Sequence, residues 1–395
     1  MAKQYIDDQR LDLSRRDLLK AAAALLVEQW ATARAIAGAS NPVTDRKVVI
    51  VTCGGIRRED TFADSGFSNI PHFSRDLLSQ GVFYPFIHNN GVTSHYNTIS
   101  SILTGNWQRL DDWGQTAPAS PTFFEYLRKT LKLRQDQAWF ISSNKALTSR
   151  IGASSVSGFG PGYGANVIFP KQLLISAVVH AASQGRAVRG TDRSTVQPEL
   201  EAILNSDNYD GLGWSVSGET SALDRITLGV IQQAIEDLIR TSSPVTGDEF
   251  TYLVAVEVIK RFAPSLLVMT FSDMEVAHFG SYSLHLAGIS TVDRLVYELW
   301  NQLQSEPAYK GKTTLLVLPE FGRDLDGSTT NGFFNHRQNS ESTRITWMLC
   351  LGDAIRRAQI IEDPIQQTDI CPTVARLFEV KNLDLAGKPI PGLWL

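Results

Sequence analysis

The chain reads as an α/β protein, a three-layer α/β/α sandwich around a mostly parallel sheet, with a mainly helical insertion. Two observations predict this class. Short apolar runs, several of them β-branched, alternate with helical stretches, the rhythm of a doubly wound sheet. Several of these runs are also apolar at nearly every position, as strands covered on both faces must be. With 395 residues, 43% apolar and 20% charged, the chain can bury a large core and has nothing of a disordered or fibrous composition.

The first strand is Lys47 to Cys53, ended by Gly54-Gly55, and the second runs from Val82 to His88. Thr98 to Leu103 has helical apolar spacing and stops near Gly105. Ser120-Pro121 is expected to cap a helix carrying Phe123, Phe124, Leu127 and Leu131, with proline at its first position. A short strand at Ala138 to Ile141 follows. From about 149 to 263 the rhythm breaks, first glycine-rich and then helical, and this stretch is expected to be a cap inserted beside the sheet. Alternation resumes with a strand at Ser265 to Phe271, an amphipathic helix at Thr291 to Leu303, strands at Thr313 to Leu318 and Ile345 to Leu351, and a helix at Asp369 to Phe378. Residues 41–395 therefore form one domain.

A formal charge of −4 creates no field that would gather nucleic acid or an anionic membrane, so nucleic acid is not an expected partner. Cys53, Cys350 and Cys371 sit in apolar runs and are expected to be buried thiols. Residues 1–40 are expected to be an export signal and linker. Arg15 and Arg16 precede the weakly apolar stretch Ala21 to Val27, and Ala35-Ile36-Ala37 offers a small-residue cleavage site, an order resembling a twin-arginine signal. The alternative is an ordinary amphipathic helix, since Glu28 and Arg34 interrupt the apolar segment. No other run is long and apolar enough for a stable membrane span, and the periplasm is the expected location.

Ligands of open α/β sheets gather beyond the carboxyl ends of the strands. Polar clusters stand there: Gly54 to Asp64, Asn89 to His95, Asp273 to His278 and Glu320 to Asp324, with His336 a short loop further on. Carboxylates and imidazoles arriving from separate strand ends are what a divalent ion needs. Arg57 and Arg323 are candidate clamps for an anion, with Asp60 beside them. Solvated arginines near turns are the alternative. His72, His88, His180 and His285 lack paired carboxylates at ligand spacing, and Tyr282 and Trp347 are expected to pack.

The run His95 to Gly105, ending Leu103-Thr104-Gly105, resembles the nucleophile-to-helix segment of sulfatases and phosphodiesterases. Ser120 to Leu127 is similar to the helix that follows it there. Glu320 to Arg323 with His336, and Thr368 to Thr373 with Gly387 to Ile390, resemble the C-terminal half of the alkaline phosphatase and sulfatase superfamily. Within it, Gly54-Gly55 followed by Asp60-Thr61-Phe62, and Glu320-Phe321-Gly322-Arg323, resemble a twin-arginine-exported, sulfatase-like branch.

The resemblance implies hydrolysis of a small anionic ester, a phosphate or a sulfate, with a nucleophile at a helix N-terminus beside metal. Counting back from Gly105 places His95 at the nucleophile position, with Thr93 and Ser94 adjacent as the hydroxyl candidates. Both hydroxyls have capping as their alternative role. The implied ligand set is Asp273, His278, Glu320 and His336 around one divalent ion, whether zinc, calcium, manganese or magnesium, with Glu275 competing for the role of Asp273. The first strand ends in Cys53-Gly54-Gly55 where the family has aspartate, leaving Asp60 or Asp64 to substitute, and Phe321 stands where a histidine is expected. These departures favour a second reading, a catalytically inactive relative that binds a ligand or a protein partner.

Overall fold

Every residue of the first strand is buried, and that continuous burial sets the architecture. The computed structural model describes residues 45–63, 67–171, 246–326, 332–336, 340–381, 383 and 385–394. Strand β1 (Lys47–Cys53) lies parallel to and between β5 (Leu266–Phe271) and β6 (Thr313–Pro319), with Ile50 opposite Val268 on one side and Leu316 on the other. The sheet is completed by β2 (Gly81–His88), β3 (Ala138–Ser142), β4 (Asn166–Ile168), β7 (Ile345–Gly352), β8 (Gln359–Ile360) and β9 (Ile365–Gln366). Its order is β4-β3-β5-β1-β6-β7-β2-β8, with β9 also pairing with β2. Only β7 runs against its neighbours β6 and β2, so the sheet is mixed but mostly parallel.

Alternating residues of β1 point into two separate cores, the period-two consequence of the pleat. Val49, Val51 and Cys53 pack on one face with α3 (Gly247–Phe262) and α4 (Tyr282–Ser305). Val48 and Ile50 pack on the other with α1 (His95–Thr104), α2 (Phe123–Leu131) and α5 (Ile370–Leu377). The result is the expected three-layer sandwich, and all three cysteines are buried free thiols.

Local chemistry shifts several boundaries. Helix α2 is capped by Thr122, not by Ser120-Pro121: the Thr122 side chain accepts from Glu125 N while Glu125 accepts from Thr122 N, a reciprocal capping box. Asp369 precedes α5 but makes no side-chain cap there; its carboxylate accepts from Gln366 N at 2.9 Å and Lys388 N at 2.8 Å, tying the C-terminal segment to the sheet end. Gly105 ends α1 in the left-handed region at φ 69°, a conformation that favours glycine. The two flanks of the segment expected to be an inserted cap contribute β4 and α3 to the main layers, and the remainder of that segment, 172–245, lies outside the described residues. The expected export signal, Asp64 and His180 also lie outside them. Among the described residues, no helix is long and apolar enough to cross a membrane.

Candidate metal centre and adjoining cavity

Three imidazoles and one carboxylate converge beyond the carboxyl ends of β1, β5 and β6: His95, Glu275, His278 and His336, with one donor atom from each lying within 4.8 Å of the others. Each arrives by a different local device. His95 is the first residue of α1, placed by a loop in which Asn89 accepts from Gly91 N at 2.8 Å and donates to Thr98 at 2.9 Å. Glu275 and His278 lie on a 3₁₀ helix, Asp273–Phe279, where side chains three apart eclipse and face the same way. His336 follows the turn Gly332–Phe334 in the loop after β6.

Glu275 is the hub. Its Oε2 lies 3.0 Å from His278 Nε2, 3.5 Å from His95 Nε2 and 3.8 Å from His336 Nε2, and it is paired with Arg323. Its Oε1 accepts from Gly55 N at 2.5 Å. The Gly54-Gly55 turn makes this approach feasible, because a Cβ on Gly54 would collide with Glu275 Oε1. Glycine stands at the end of the first strand where an aspartate was looked for, and a carboxylate from the 3₁₀ helix after β5 fills the space.

Behind this group lies a layer of acceptors. His95 Nδ1 is 2.7 Å from Glu320 Oε2, and His336 Nδ1 donates to the Thr93 carbonyl at 3.0 Å. An imidazole donating from Nδ1 presents a lone pair at Nε2, which is how ligating histidines are oriented. Phe321 stacks on the His336 ring at 4.2 Å between centroids and fixes its plane.

Burial and charge act against each other here. For Glu275, burial raises the pKa, but Arg323 and His95 outweigh it and hold the carboxyl well below its ordinary value. For His95, burial works toward the neutral ring, yet Glu275 and Glu320 raise its pKa well above the usual value. Burial drives His336 the other way, helped by Arg323, so it is neutral, and burial raises Glu320. The His95 ring thus lies between the two glutamates, 2.7 Å from Glu320 at Nδ1 and 3.5 Å from Glu275 at Nε2.

The donor set fits one divalent ion. A tetrahedron of ligands about 2.0–2.1 Å from a central ion has edges of about 3.3–3.4 Å. The separations here are 3.0 Å for His278 Nε2 to His336 Nε2 and 3.0–3.8 Å from the imidazoles to Glu275, with every pair of donors within 4.8 Å, so the group closes on an ion by small shifts of the His95 side.

The residues singled out in the sequence divide accordingly. His278 and His336 are in the group, joined by His95 and by Glu275, the competitor for Asp273. Glu320 is buried behind His95 with Oε1 lacking a partner among the described residues. Asp273 faces away, accepting from Asp248 N at 2.8 Å at the start of α3. Arg323 is fully buried, donating to Glu275, to Gly55 O and to Phe333 O. Arg57 and Asp60 bind one another through two hydrogen bonds of 2.8 and 3.0 Å, with Tyr282 donating to Asp60 at 2.6 Å. None of these three carries a charge free to receive a substrate.

Thr93 and Ser94 line a cavity of about 470 Å³ at the N-terminus of α1, with Trp107, Arg109, Asp112 and Arg344 on its other walls. Ser94 Oγ accepts from Asn97 at 2.9 Å and makes no cap bond to the helix. The Thr93 hydroxyl has no partner among the described residues. Trp107, Arg109 and Arg344 escaped the sequence reading. They do not follow apolar strand runs, and only the folded loops make them neighbours.

No protein-family model matches the chain, and no curated protein matches it in sequence. Solved structures do match in fold. The alkaline phosphatase PafA aligns with a TM-score of 0.53 at 14% identity over 90% of this chain and 100% of its own. A protein of the alkaline phosphatase superfamily from Vibrio parahaemolyticus aligns at 0.51 and 12%, over 97% and 78%. The PsFucS1 sulfatase from Pseudoalteromonas sp. aligns at 0.50 and 13%, over 94% and 74%. At these identities the likeness concerns architecture alone: this chain is similar in fold to alkaline phosphatase superfamily proteins and to a sulfatase.

Proposed function

We propose that the chain is a metal-dependent hydrolase of phosphate or sulfate esters, with its substrate in the cavity at the N-terminus of α1. One observation carries this reading. Thr93 and Ser94, whose hydroxyls are the nucleophile candidates, line that cavity immediately before His95, whose ring belongs to the metal group. His95, Glu275, His278 and His336 would hold the ion, which when bound supplies Lewis-acid stabilisation of charge on oxygen. The chain's own residues would do the rest. The N–H groups opening α1 favour an anion, and Arg109 and Arg344, the latter also donating to Asn89 O at 3.0 Å, bring guanidinium groups to the other walls of the cavity. Thr93 is the better nucleophile of the two, since the Ser94 oxygen already accepts from Asn97. Attack by Thr93 Oγ1, whose proton passes to water, forms a bond to phosphorus or sulfur as the bond to the ester oxygen breaks and that oxygen takes up a proton; a second water then attacks the same phosphorus or sulfur, breaking the bond to Oγ1, restoring the Thr93 hydroxyl and releasing the anion.

The test is hydrolysis of p-nitrophenyl phosphate and p-nitrophenyl sulfate by metal-replete protein. Thr93→Ala should lose at least about a thousandfold in kcat with KM little changed, and Ser94→Ala far less. Equal rates for wild type and both variants would remove the proposed nucleophile. A specific observation favours a second reading, a binding module without turnover: Phe321 fills the place of an expected nitrogen ligand against His336. Metal-replete protein that binds inorganic phosphate or sulfate calorimetrically but turns over neither ester would select that reading.

We also propose export by the twin-arginine route, from the Arg15-Arg16 sequence. An Arg15→Lys, Arg16→Lys variant should stay in the cytoplasm on cell fractionation. Undiminished periplasmic yield would retire the signal.

A further inference from the structure

We propose that the four-residue group is a single-ion site for a borderline transition metal of the zinc class, closed to calcium and magnesium, and that Gly54 is the positioning residue that admits its one carboxylate. This rests on reading His95, Glu275, His278 and His336 as a metal group and narrows what that group accepts.

The donor chemistry decides the ion. Three of the four donors are imidazole nitrogens, and the single oxygen donor, on Glu275, is already paired with Arg323. Calcium takes six to eight oxygen ligands and magnesium an octahedron of oxygens, whereas imidazole suits zinc, copper, iron and nickel. Two of the imidazoles have Nδ1 engaged, by Glu320 and by the Thr93 carbonyl, so their Nε2 atoms are directed inward as ligating histidines are. The pocket also has little room for a water-rich shell: the side chains of His336 and Glu275 are 0% and 1% exposed, that of His278 is 17% exposed, and Phe321 covers the ring of His336. Asp273, the nearest further carboxylate on the same 3₁₀ helix, is committed to Asp248 N, and Glu320 stands behind His95 on its Nδ1 side, so among the described residues the four donors form one group for one ion.

Gly54 enters by steric necessity. Glu275 Oε1 occupies the space a Cβ at residue 54 would take, with its carboxyl carbon and Cγ close behind. A side chain at 54 must therefore push the carboxylate out of the group, although Gly54 touches no ion itself.

The experiment uses the full chain stripped with chelator and titrated with cobalt(II). The expected result is the visible absorption of four-coordinate cobalt, saturating at one ion per chain, bleached by zinc and unmoved by calcium or magnesium in large excess. Gly54→Ala should weaken cobalt binding about 10–100-fold, and Asp273→Asn should leave the spectrum unchanged. If Gly54→Ala does not fold, His278→Ala replaces it and should abolish the four-coordinate spectrum. Displacement of cobalt by calcium or magnesium, a second cobalt bound as tightly as the first, or wild-type affinity in Gly54→Ala would each overturn the proposal. The hydrolase reading fails separately. Zinc-loaded protein inert to both esters sinks that reading and leaves this one standing, whereas turnover in protein carrying only calcium does the reverse.

Discussion

Glu275 joins the metal group and Asp273 does not because of a helical phase. Residues 275 and 278 are three apart on a 3₁₀ helix and share a face, and residue 273 points elsewhere. The sequence exposed both acids after β5, and nothing in composition chose between them; the i,i+3 spacing to His278 was the available signal. A similar fate meets Asp60 and Arg57, legible as charges near a strand end and used in the fold as each other's partner. Burial raises the Asp60 carboxyl, but hydrogen bonds from His285, Arg57 and Tyr282 outweigh it and hold its pKa well below the ordinary carboxylate range. A carboxyl depressed in the folded state contributes stability above its unfolded pKa, about 3.9, and loses it as pH falls from there toward the folded value. Asp60→Asn removes the buried one of the two carboxylates on Arg57 and leaves Asp326 at 3.1 Å, so it should cost about 1.5–3 kcal/mol at pH 7. Urea midpoints should show the gap between wild type and variant narrowing below about pH 4. A constant gap from pH 7 to pH 3, or none, would refute the pairing.

At the scale of elements, the strands were legible because each is a run apolar enough to be buried on both faces, and β1, β5 and β6 appear within a residue of their expected limits. Helix starts were less so. Ser120-Pro121 has the composition of a cap, but the glutamate that completes a capping box stands three residues after Thr122. Glu125 is more than half of a box. Its buried carboxylate accepts from Thr122 N at 2.7 Å, Ser154 N at 2.9 Å, Ser154 Oγ at 2.7 Å and Gly160 N at 2.6 Å. It thus anchors the glycine-rich loop to α2, a long-range role no local pattern announces. Thr122→Ala should cost about 1 kcal/mol, the usual value of a lost cap. Glu125→Gln replaces an acceptor of five donors, the Thr122 hydroxyl at 3.0 Å included, by an amide that must turn its own N–H groups toward some of them, and should cost about 3 kcal/mol. Chemical denaturation compares the two, and equal losses would show that the loop does not depend on Glu125.

For the molecule as a whole, the sheet order decides what the metal group can do. β1 is flanked by β5 and β6, so the segments after β5 and β6 meet across the end of β1, and the loop after β2 reaches the same place by leading into α1. An ion held by His95, Glu275, His278 and His336 would therefore cross-link three segments far apart in sequence. Because the unfolded chain cannot assemble these donors, binding must stabilise the folded state, by about 2.7 kcal/mol at a free ion concentration 100 times Kd. In domains of 150–250 residues about 1 kcal/mol moves the thermal midpoint by 2–4 °C, so a rise of roughly 5–10 °C is the upper expectation for this larger chain. Scanning calorimetry of chelator-stripped protein with and without zinc should show it, and His278→Ala should lose most of the rise while keeping a cooperative transition. His278 is chosen because its partly exposed ring can be removed at less cost to the core than His95 or His336. A wild-type midpoint that ignores saturating zinc would mean that the convergence of these loops is held by the contacts of His95 and Arg323 with the glutamates alone. An equal rise in the variant would place the ion at other residues.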